Sequence, residues 1–298
     1  MSPNTLGALL MMASMACFTL NDTFMKLTNG AIPLFQLLFL RGALTSGLIL
    51  VTRGHLGALH FDIDRRDWTL IALRSAAEVA TAYFFLNALF NMPLANLTAI
   101  FQALPLTVTL ASALFLREPV GWPRLAAIAV GFVGVLLIVR PGTAGFNVWS
   151  IYALVAVLCV TARDLVTRRL SPGVPSMTVT LATAVSVMAA AGLASLGAPW
   201  APVGWTEAGL IAGSAVFILG GYACSIQVMR VADVSATAPF RYTGLIWALA
   251  LGWFIWGDWP ATLTLVGAAI VVATGLFTLY RERRLRRRRP FAPGPRRY

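Results

Sequence analysis

Ten apolar stretches dominate the sequence, and each is long enough to cross a lipid bilayer as a helix. A membrane-spanning helix needs about 20 mostly apolar residues, and most of the connections between the stretches are short turns with Pro, Gly or Asn. The pattern predicts an all-α integral membrane protein with ten transmembrane helices and no separate soluble domain. The predicted spans cover roughly 5–26, 33–52, 68–90, 94–116, 122–139, 149–169, 175–196, 206–229, 233–256 and 260–280.

The polar residues that interrupt these stretches recur at a shift of about 140 residues. Residues 17–26, "CFTLNDTFMK", and residues 159–168, "CVTARDLVTR", each place an acid and a base four residues apart. The dipeptides Ile32-Pro33 and Val174-Pro175 align at the same shift. We therefore expect two repeats of five spans. Because five is an odd number, the second repeat must enter the membrane from the opposite side, which is the inverted topology found in many secondary transporters.

The repeats predict a division of the chain into three parts. We assign residues 1–140 to the first five-span repeat, 141–280 to the second, inverted repeat, and 281–298 to an Arg-rich cytoplasmic tail. Basic residues flank alternate connections and fill the tail, and basic loops face the cytoplasm. We therefore expect a multi-pass protein of a bacterial-type inner (plasma) membrane, with both termini cytoplasmic.

The composition agrees with this topology and argues against a nucleic-acid-binding protein. Charged residues make up 11% of the chain, against about a quarter in soluble domains. The formal net charge is +12, but the tail contributes nine arginines and one glutamate, so the rest of the chain carries only +4. We interpret the basic tail as a topology anchor that contacts lipid headgroups, and we expect no nucleic-acid partner.

The cysteines and histidines form no catalytic or metal-binding pattern. Cys17, Cys159 and Cys224 lie in apolar stretches, where cysteine is typically a small buried hydrophobic residue. His55 and His60 share one polar loop, which lacks an HExxH or similar spacing. The sequence also contains no P-loop for ATP-driven pumping. We expect no catalytic residue, no metal and no cofactor.

Three stretches carry a family resemblance. The first, "TLNDTFMKL", closes the first span; "FLRG" lies in the second; and "PLTVTLASALFLREPVGWPRLAAIAVGFVGVLLI" covers the fourth and fifth. In these stretches the chain resembles the EamA-type transporters of the drug/metabolite transporter (DMT) superfamily. The second half departs from the family pattern, with Asp258 in place of the usual Glu and Leu245 where Pro is common. The resemblance implies ten helices in two inverted repeats and transport of a small metabolite by alternating access.

Polar and aromatic side chains at membrane depth are the candidates for substrate binding. A charge near the bilayer centre costs about 2.5–3.5 kcal/mol on insertion scales, so it normally faces a cavity or a partner. Arginine suits a carboxylate or phosphate because its planar fork makes bidentate contacts. Arg241 is the central candidate, because it follows Pro239 in a span interrupted by Pro and Gly. The predicted substrate-binding residues are Arg241, Tyr242, Arg41, Gln102, Phe101, Trp247 and Asn87.

Oppositely charged residues four positions apart predict coupling and gating. Glu78 lies one helical turn from Arg74, which predicts either an ion pair on one helix face or a proton-coupled carboxylate at Glu78. A purely structural role for Arg41 and Arg74, tied to Glu78 and to backbone carbonyls, stays open. The predicted gating residues, which suit ion pairs at helix ends equally well, are Asp22, Lys26, Asp164 and Arg168.

Taken at the level of function, the sequence favours a secondary-active transporter of a small polar or aromatic/anionic metabolite, with its site at the midplane between the repeats. A lipid or lipid-headgroup carrier on the same scaffold and a membrane-embedded enzyme are the alternatives. The expected partners are the small-molecule metabolite and membrane lipids. Glycines in spans five and ten suit close helix packing, either within the chain or in a homodimer. They are Gly131, Gly134, Gly267 and Gly275.

Overall fold

The computed structural model of the protein is helical throughout the part that it describes, which comprises residues 2–28, 30–56, 59–117, 121–141, 147–232 and 234–288. No strand occurs in these ranges. The last ten residues of the predicted tail, 289–298, lie outside them. The helices are α1 Pro3–Leu27, α2 Leu34–Leu56, α3 Arg65–Asn91, α4 Leu94–Phe101, α5 Leu104–Phe115, α6 Trp122–Val139, α7 Val148–Thr167, α8 Ser176–Ala194, α9 Trp205–Val231, α10 Val234–Thr237, α11 Thr243–Trp256 and α12 Thr262–Arg288.

The all-α membrane architecture predicted from the sequence is confirmed. Within the described residues, nine helices are long and apolar enough to cross a membrane, and they match the predicted spans one to eight and ten. The fourth of these spans, Leu94–Phe115, comprises α4 and α5. The predicted ninth span is divided into α10, a 3₁₀ turn over Ala238–Tyr242, and α11. Two of the predicted spans are therefore interrupted helices.

Proline accounts for both interruptions. Pro105 lies in the first turn of α5, and Pro239 lies at the start of the 3₁₀ turn. A proline inside a continuous helix removes one hydrogen bond and its ring clashes with the carbonyl four residues earlier. The chain therefore ends α4 at Phe101 and begins a new helix at Leu104, so that Gln102 and Ala103 form the junction.

The helices pack in a pattern that relates the two halves of the chain. The most extensive contacts join α1 with α9, α3 with α7, α2 with α8, and α6 with α12. In terms of spans, these are the pairs one–eight, three–six, two–seven and five–ten. Exchanging the first five spans with the last five leaves this set of pairs unchanged, which is the behaviour of two equivalent repeats.

Small residues allow α6 and α12 to touch through their backbones. A Cβ atom on Gly134 would lie 2.8 Å from the carbonyl oxygen of Gly267, and a Cβ on Gly267 would lie 2.5 Å from that of Gly134. Gly131 instead faces side chains, those of Leu106 on α5 and Thr274 on α12. The glycines of spans five and ten thus serve packing within the chain, as the sequence allowed. Dimerisation through this face stays a prediction.

The fourth span is the most enclosed part of the molecule. Four of its apolar side chains are almost completely buried among neighbouring helices, namely Leu94, Leu97, Ile100 and Leu106. Large apolar side chains elsewhere, including Trp205, point outwards, as expected for helices that face lipid tails. The charged residues described below therefore lie inside a bundle whose exterior is apolar.

Candidate functional site

A polar pocket lies between α2, α3, α8 and α9. Its empty space is about 580 Å³, counting the open mouth. The polar lining comes from all four helices: Arg41 from α2, Arg74 and Glu78 from α3, Thr183 from α8 and Tyr222 from α9. The apolar wall includes Leu38, Ala82, Val187 and Ile218. The pocket thus combines charged groups with a surface that accommodates a hydrocarbon part.

The pocket lies at membrane depth. With a rise of about 1.5 Å per residue, Arg41 lies roughly 10 Å from the start of α2, and Glu78 roughly 20 Å from the start of α3. These two helices run in opposite directions across a hydrocarbon layer about 30 Å thick. The guanidinium and the carboxylate therefore belong to the interior of the bundle and not to its ends.

Arg41 is the cation of the pocket that has no bonded partner among the residues that the structure describes. Its guanidinium forms no hydrogen bond or ion pair with any residue in the described ranges. It interacts electrostatically with Tyr222, Asp22 and Glu78 at longer range. Charged side chains at membrane depth normally have a partner or face a water-filled cavity. Arg41 is therefore placed to meet a ligand.

Glu78 forms an ion pair that crosses between the two halves of the chain. Arg163 on α7 donates from Nη1 to Glu78 Oε2 at 2.8 Å. The same guanidinium donates from Nε and Nη2 to Oδ1 of its neighbour Asp164, at 3.0 and 2.8 Å. The Glu78 and Arg163 side chains are 19% and 22% exposed, so the pair is largely removed from solvent. Arg163 thus holds two carboxylates at once.

The predicted partner of Glu78, Arg74, has other partners in the structure. Its Nε donates to the hydroxyl of Thr167 at 3.0 Å, and its Nη1 donates to the hydroxyl of Thr183. Arg74 and Glu78 interact electrostatically, but no ion pair within 4.0 Å joins them in the described structure. Glu78 is thus paired with Arg163 and not with Arg74, and its predicted role in proton coupling stays a prediction.

The predicted gating residues also bond to groups other than their predicted partners four residues away. Lys26 Nζ donates to the backbone oxygens of Leu89 and Met92, at 2.6 and 2.7 Å, and lies 5.6 Å from the centre of the Trp256 ring. Asp22 accepts one hydrogen bond, 2.9 Å long, from the Asn21 amide.

In the second half, the other predicted gating pair is separated in the same way. Asp164 is bonded to Arg163, as described above. Arg168, which is exposed, donates to the hydroxyl of Ser112 at the end of α5, over 2.9 Å. Lys26 and Arg168 thus each connect the first helix of their own half to an element elsewhere in the bundle. A gating role for these four residues stays a prediction.

The remaining predicted binding residues are not gathered with Arg41. Gln102 is buried at the junction of α4 and α5, and Phe101 packs against Phe85 with ring centres 5.0 Å apart. Asn87 donates to the backbone oxygen of Tyr83 on its own helix. None of these predicted residues is among the described side chains that line the pocket.

The interrupted ninth span holds three further predicted residues, which also lie apart from the pocket lining. Arg241 is exposed in the 3₁₀ turn, and Trp247 is 41% exposed on α11. Tyr242 is buried against Gly275 of α12, and its hydroxyl has no hydrogen-bond partner in the described structure.

Sequence reasoning missed Arg163 and Tyr222. Arg163 stands next to Asp164 inside the repeated stretch, but the search for charges four residues apart passed over it. Tyr222 lies in an apolar span with no charged neighbour in sequence. Its contact with Phe18, with ring centres 5.4 Å apart, joins α9 to α1 and depends on the folded chain. A full list of charges at membrane depth would have found the arginine but not the tyrosine.

The chain is similar in sequence to known membrane transporters. Residues 5–140 match the EamA-like transporter family. The chain is 25% identical to the S-adenosylmethionine uptake transporter of Rickettsia conorii, over 66% of this chain and 67% of that protein. It is 29% identical to the riboflavin transporter of Rhizobium johnstonii, over 67% of this chain and 66% of that protein. These two matches span about two thirds of the relatives' length.

Two further comparisons extend over nearly the whole chain. The pseudopaline exporter CntI of Pseudomonas aeruginosa strain UCBPP-PA14 is 23% identical, over 89% of this chain and 93% of that protein. The crystal structure of another protein aligns with 94% of this chain and over 98% of that protein's own chain. The TM-score of this alignment is 0.65, and the sequence identity is 18%. The structural likeness concerns the fold alone. The relatives named here include importers and exporters of chemically different small molecules.

Proposed function

We propose that this chain, which carries an EamA-like transporter domain over residues 5–140, is a secondary-active transporter of a small anionic metabolite. The match of residues 5–140 to the EamA-like transporter family and the relatives named as metabolite transporters support this proposal. The anionic substrate and its site are our own inference. Its binding site is the pocket between α2, α3, α8 and α9, and transport proceeds by alternating access.

The observation that carries this proposal is the unpaired Arg41 in the pocket. The other charged side chains that line the pocket already have partners. Glu78 is paired with Arg163, and Arg74 donates to the hydroxyls of Thr167 and Thr183. The Thr45 hydroxyl, by contrast, is buried and without a partner in the described structure. A guanidinium with a free hydroxyl beside it matches a carboxylate or phosphate group.

Alternating access requires contacts that close one end of the bundle and then open, and Lys26 is our candidate for the external end. Its ammonium joins α1 to the end of α3 through Leu89 and Met92, and it faces Trp256 at the end of α11. Three helices thus meet at one side chain. The symmetric helix pairing supports inverted repeats as the basis of the motion. Arg168 is the corresponding candidate at the cytoplasmic end.

A stability screen with charged and uncharged ligand pairs tests the site. Purified protein in detergent is heated with benzoate or benzamide, nicotinate or nicotinamide, riboflavin, and S-adenosylmethionine. A ligand at a hundred times its dissociation constant stabilises the folded state by about 2.7 kcal/mol. We expect at least one carboxylate to raise the melting temperature more than its amide. Equal shifts within each pair would contradict an anion site.

Three arginine variants then locate the site. Loss of a hydrogen bond to a charged group costs about 1.5–3 kcal/mol, so Arg41→Gln should weaken carboxylate binding about 10- to 100-fold. Arg66→Gln, at an exposed position at the start of α3, is the matched control and should bind normally. Arg241→Gln tests the sequence-based candidate. Normal binding in Arg41→Gln together with loss in Arg241→Gln would move the site to the interrupted ninth span.

One feature favours a lipid-headgroup carrier as the second candidate. An apolar groove lined by Ala76, Ala80, Ala190 and other residues of α2, α3 and α8 adjoins the pocket. Leu38, Ala82 and Val187 line both spaces. A groove of this kind would accommodate an acyl chain while the headgroup occupied the pocket. Stabilisation by phosphatidylglycerol but by none of the carboxylates would favour this function over metabolite transport.

A further inference from the structure

Two connections between helices are held by buried side chains at opposite ends of the α2–α8 pair. Gln36 donates from Nε2 to the backbone oxygen of Ala201 at 2.8 Å and accepts from the Ala201 N–H at 2.9 Å. The Thr178 hydroxyl donates to the backbone oxygen of His60 at 3.0 Å and accepts from the His60 N–H at 3.1 Å. Gln36 and Thr178 are 1% and 0% exposed. Each side chain thus binds both polar backbone groups of one residue in a connection.

These bonds join each half of the chain to the other. Ala201 belongs to residues 195–204, which connect α8 to α9 and which we name the external strap. His60 belongs to residues 59–64, the described part of the connection between α2 and α3, which we name the cytoplasmic strap. The predicted topology places the two straps on opposite sides of the membrane. Helix α2 therefore holds the strap that follows α8, and α8 holds the strap that follows α2.

The two side chains that hold the straps occupy equivalent positions in the predicted repeats. Each is the third residue after the proline that precedes its helix, Pro33 for α2 and Pro175 for α8. The alignment of these prolines also relates the pocket-lining residues of the two helices. Leu38, Arg41, Gly42 and Thr45 on α2 correspond to Thr180, Thr183, Ala184 and Val187 on α8. The pocket is thus lined by equivalent positions, and each of its two helices begins with an equivalent bond to a strap.

Apolar packing links the cytoplasmic strap to the pocket. Leu59, next to His60 in this strap, packs against a buried apolar cluster between α2, α8 and α9. Ala184 packs against the same cluster and also lines the pocket. The cluster consists of Ile49, Met177, Leu181 and Leu219. Apolar constrictions of this kind exclude water and polar solutes, so the cluster and the strap close the pocket at this end.

The external strap has a second contact as well. Trp200, next to Ala201, packs against Phe39 of α2 with ring centres 5.5 Å apart. Phe39 follows the pocket-lining residue Leu38. Its ring also lies against the end of α8, where a Cβ atom on Gly192 would be 3.0 Å from it. The external strap is therefore attached beside the pocket, as the cytoplasmic strap is.

Both straps are bonded in this structure. Alternating access requires that one end of a site opens while the other stays closed. Because a different side chain binds each strap, breaking one pair of hydrogen bonds leaves the other pair in place. We propose that Gln36 and Thr178 are latch residues, each of which releases its own strap to open the pocket on one side of the membrane. This inference rests on the proposed alternating access and adds the residues that control each end.

Labelling of a single cysteine from each side of the membrane tests the latches without a ligand. Ala184→Cys places a thiol in the pocket wall. A charged methanethiosulfonate that does not cross membranes is applied to right-side-out and inside-out vesicles. Gln36→Leu should speed labelling from the outside, and Thr178→Val from the cytoplasmic side, each about 2- to 10-fold, which is the effect of one ordinary hydrogen bond. The background carries Cys17→Ala, Cys159→Ala and Cys224→Ala.

Two control variants separate a latch from a general loosening of the fold. Thr178→Ser keeps the hydroxyl and should be labelled like its parent. Thr52→Val removes a hydroxyl that donates to the Leu48 backbone oxygen within α2, and it should have no effect that depends on the side. A gain on both sides, a gain on the unexpected side, or a gain in only one latch variant or in neither would overturn the proposal.

Variants of the straps keep the test decisive if the buried substitutions prevent folding. Ala201→Pro and His60→Pro remove the N–H groups that donate to Gln36 and Thr178. Both positions lie outside helices, where proline is tolerated. Ala201→Pro should speed labelling from the outside, and His60→Pro from the cytoplasmic side. Equal labelling of both variants from both sides would overturn the latches.

The outcomes also separate this inference from the anion site. Carboxylate binding that is lost in Arg41→Gln, without any side-specific labelling in the latch variants, would overturn the latches and leave the site standing. Side-specific labelling in a protein that binds benzoate and benzamide equally would support the latches and overturn the anion site.

Discussion

Two arginines inside the helix bundle of this protein are in opposite situations. Arg163 donates three hydrogen bonds to two carboxylates, whereas Arg41 has no bonded partner in the part of the chain that the structure describes. A paired guanidinium stabilises the fold because neither charge is left alone in a poorly solvating interior. An unpaired guanidinium has only longer-range charges, here Asp22 and Glu78, together with water or a ligand, to stabilise it. Under the proposed function, Arg163 is a structural residue and Arg41 binds the substrate.

The cross-half ion pair predicts a stability effect that depends on both partners. Arg163→Gln leaves Glu78 and Asp164 without their cation and should lower the free energy of unfolding by about 2 kcal/mol, since the pair is mostly but not fully buried. Adding Glu78→Gln should cost less than the sum of the single changes, with a coupling of about 1–3 kcal/mol. Melting of the four proteins in detergent measures this, and Arg169→Gln, which is exposed, is the control. Additive effects would show that the pair contributes nothing.

Which residues are polar at membrane depth could be predicted from the sequence, but their partners could not. Arg41, Glu78 and Asp22 stand out because apolar residues surround them. The spacing of four residues favours partners on one helix. The bonds of Glu78 and Lys26 instead reach other helices, 85 and 63 residues away. Such pairings depend on how the helices are arranged, which a local pattern does not contain.

Among the helices, the interrupted spans were the part that the apolar pattern described least well. Residues 94–116 and 233–256 were each expected as one helix, since hydropathy alone does not register a break. The prolines at positions 105 and 239 were visible in the sequence and mark the breaks to within a turn. The other spans were predicted to within a few residues because each is bounded by polar turns.

The contact between α6 and α12 predicts that one added methyl group is harmful. Alanine in place of glycine favours a helix by up to about 1 kcal/mol. At Gly134, however, the new Cβ would lie 2.8 Å from the Gly267 oxygen, and such overpacking costs about 1–3 kcal/mol. Gly134→Ala should therefore melt at a lower temperature than wild type.

Gly209→Ala provides the matched control for this substitution. A Cβ at Gly209 on α9 would meet nothing within 4 Å, so this variant should be as stable as wild type or slightly more stable. Melting curves of the two variants, recorded in the same detergent, make the comparison. An unchanged or raised melting temperature for Gly134→Ala would mean that the two helices are not in backbone contact.

For the molecule as a whole, the helix pairing and the basic residues together predict the topology. Spans one to five and six to ten exchange without changing the set of packed pairs. With five spans in each half, the point at which the first half ends must lie outside the cell if both termini are cytoplasmic. The inverted orientation was expected from the sequence. The equivalence of the two halves in packing supports it, although packing alone does not give the side of the membrane.

Reporter fusions in a bacterial host test this topology. Alkaline phosphatase, which is active only outside the cytoplasm, should be active when fused after residue 140 and inactive when fused after residue 117. Green fluorescent protein at the C-terminus should fluoresce, as it does in the cytoplasm. Phosphatase activity at both fusion points, or at neither, would contradict a membrane crossing by the fifth span.

The backbone contact between Gly134 and Gly267 also limits how this sequence can diverge. Each glycine occupies the space that any other side chain at the facing position would need. The obstacle at each position is the carbonyl oxygen of the other, which remains whatever side chain that residue carries, so a change at one position makes no room at the other. In a library of all single substitutions, these two positions should tolerate almost nothing, whereas Gly47 on α2, which faces open space, should accept many residues.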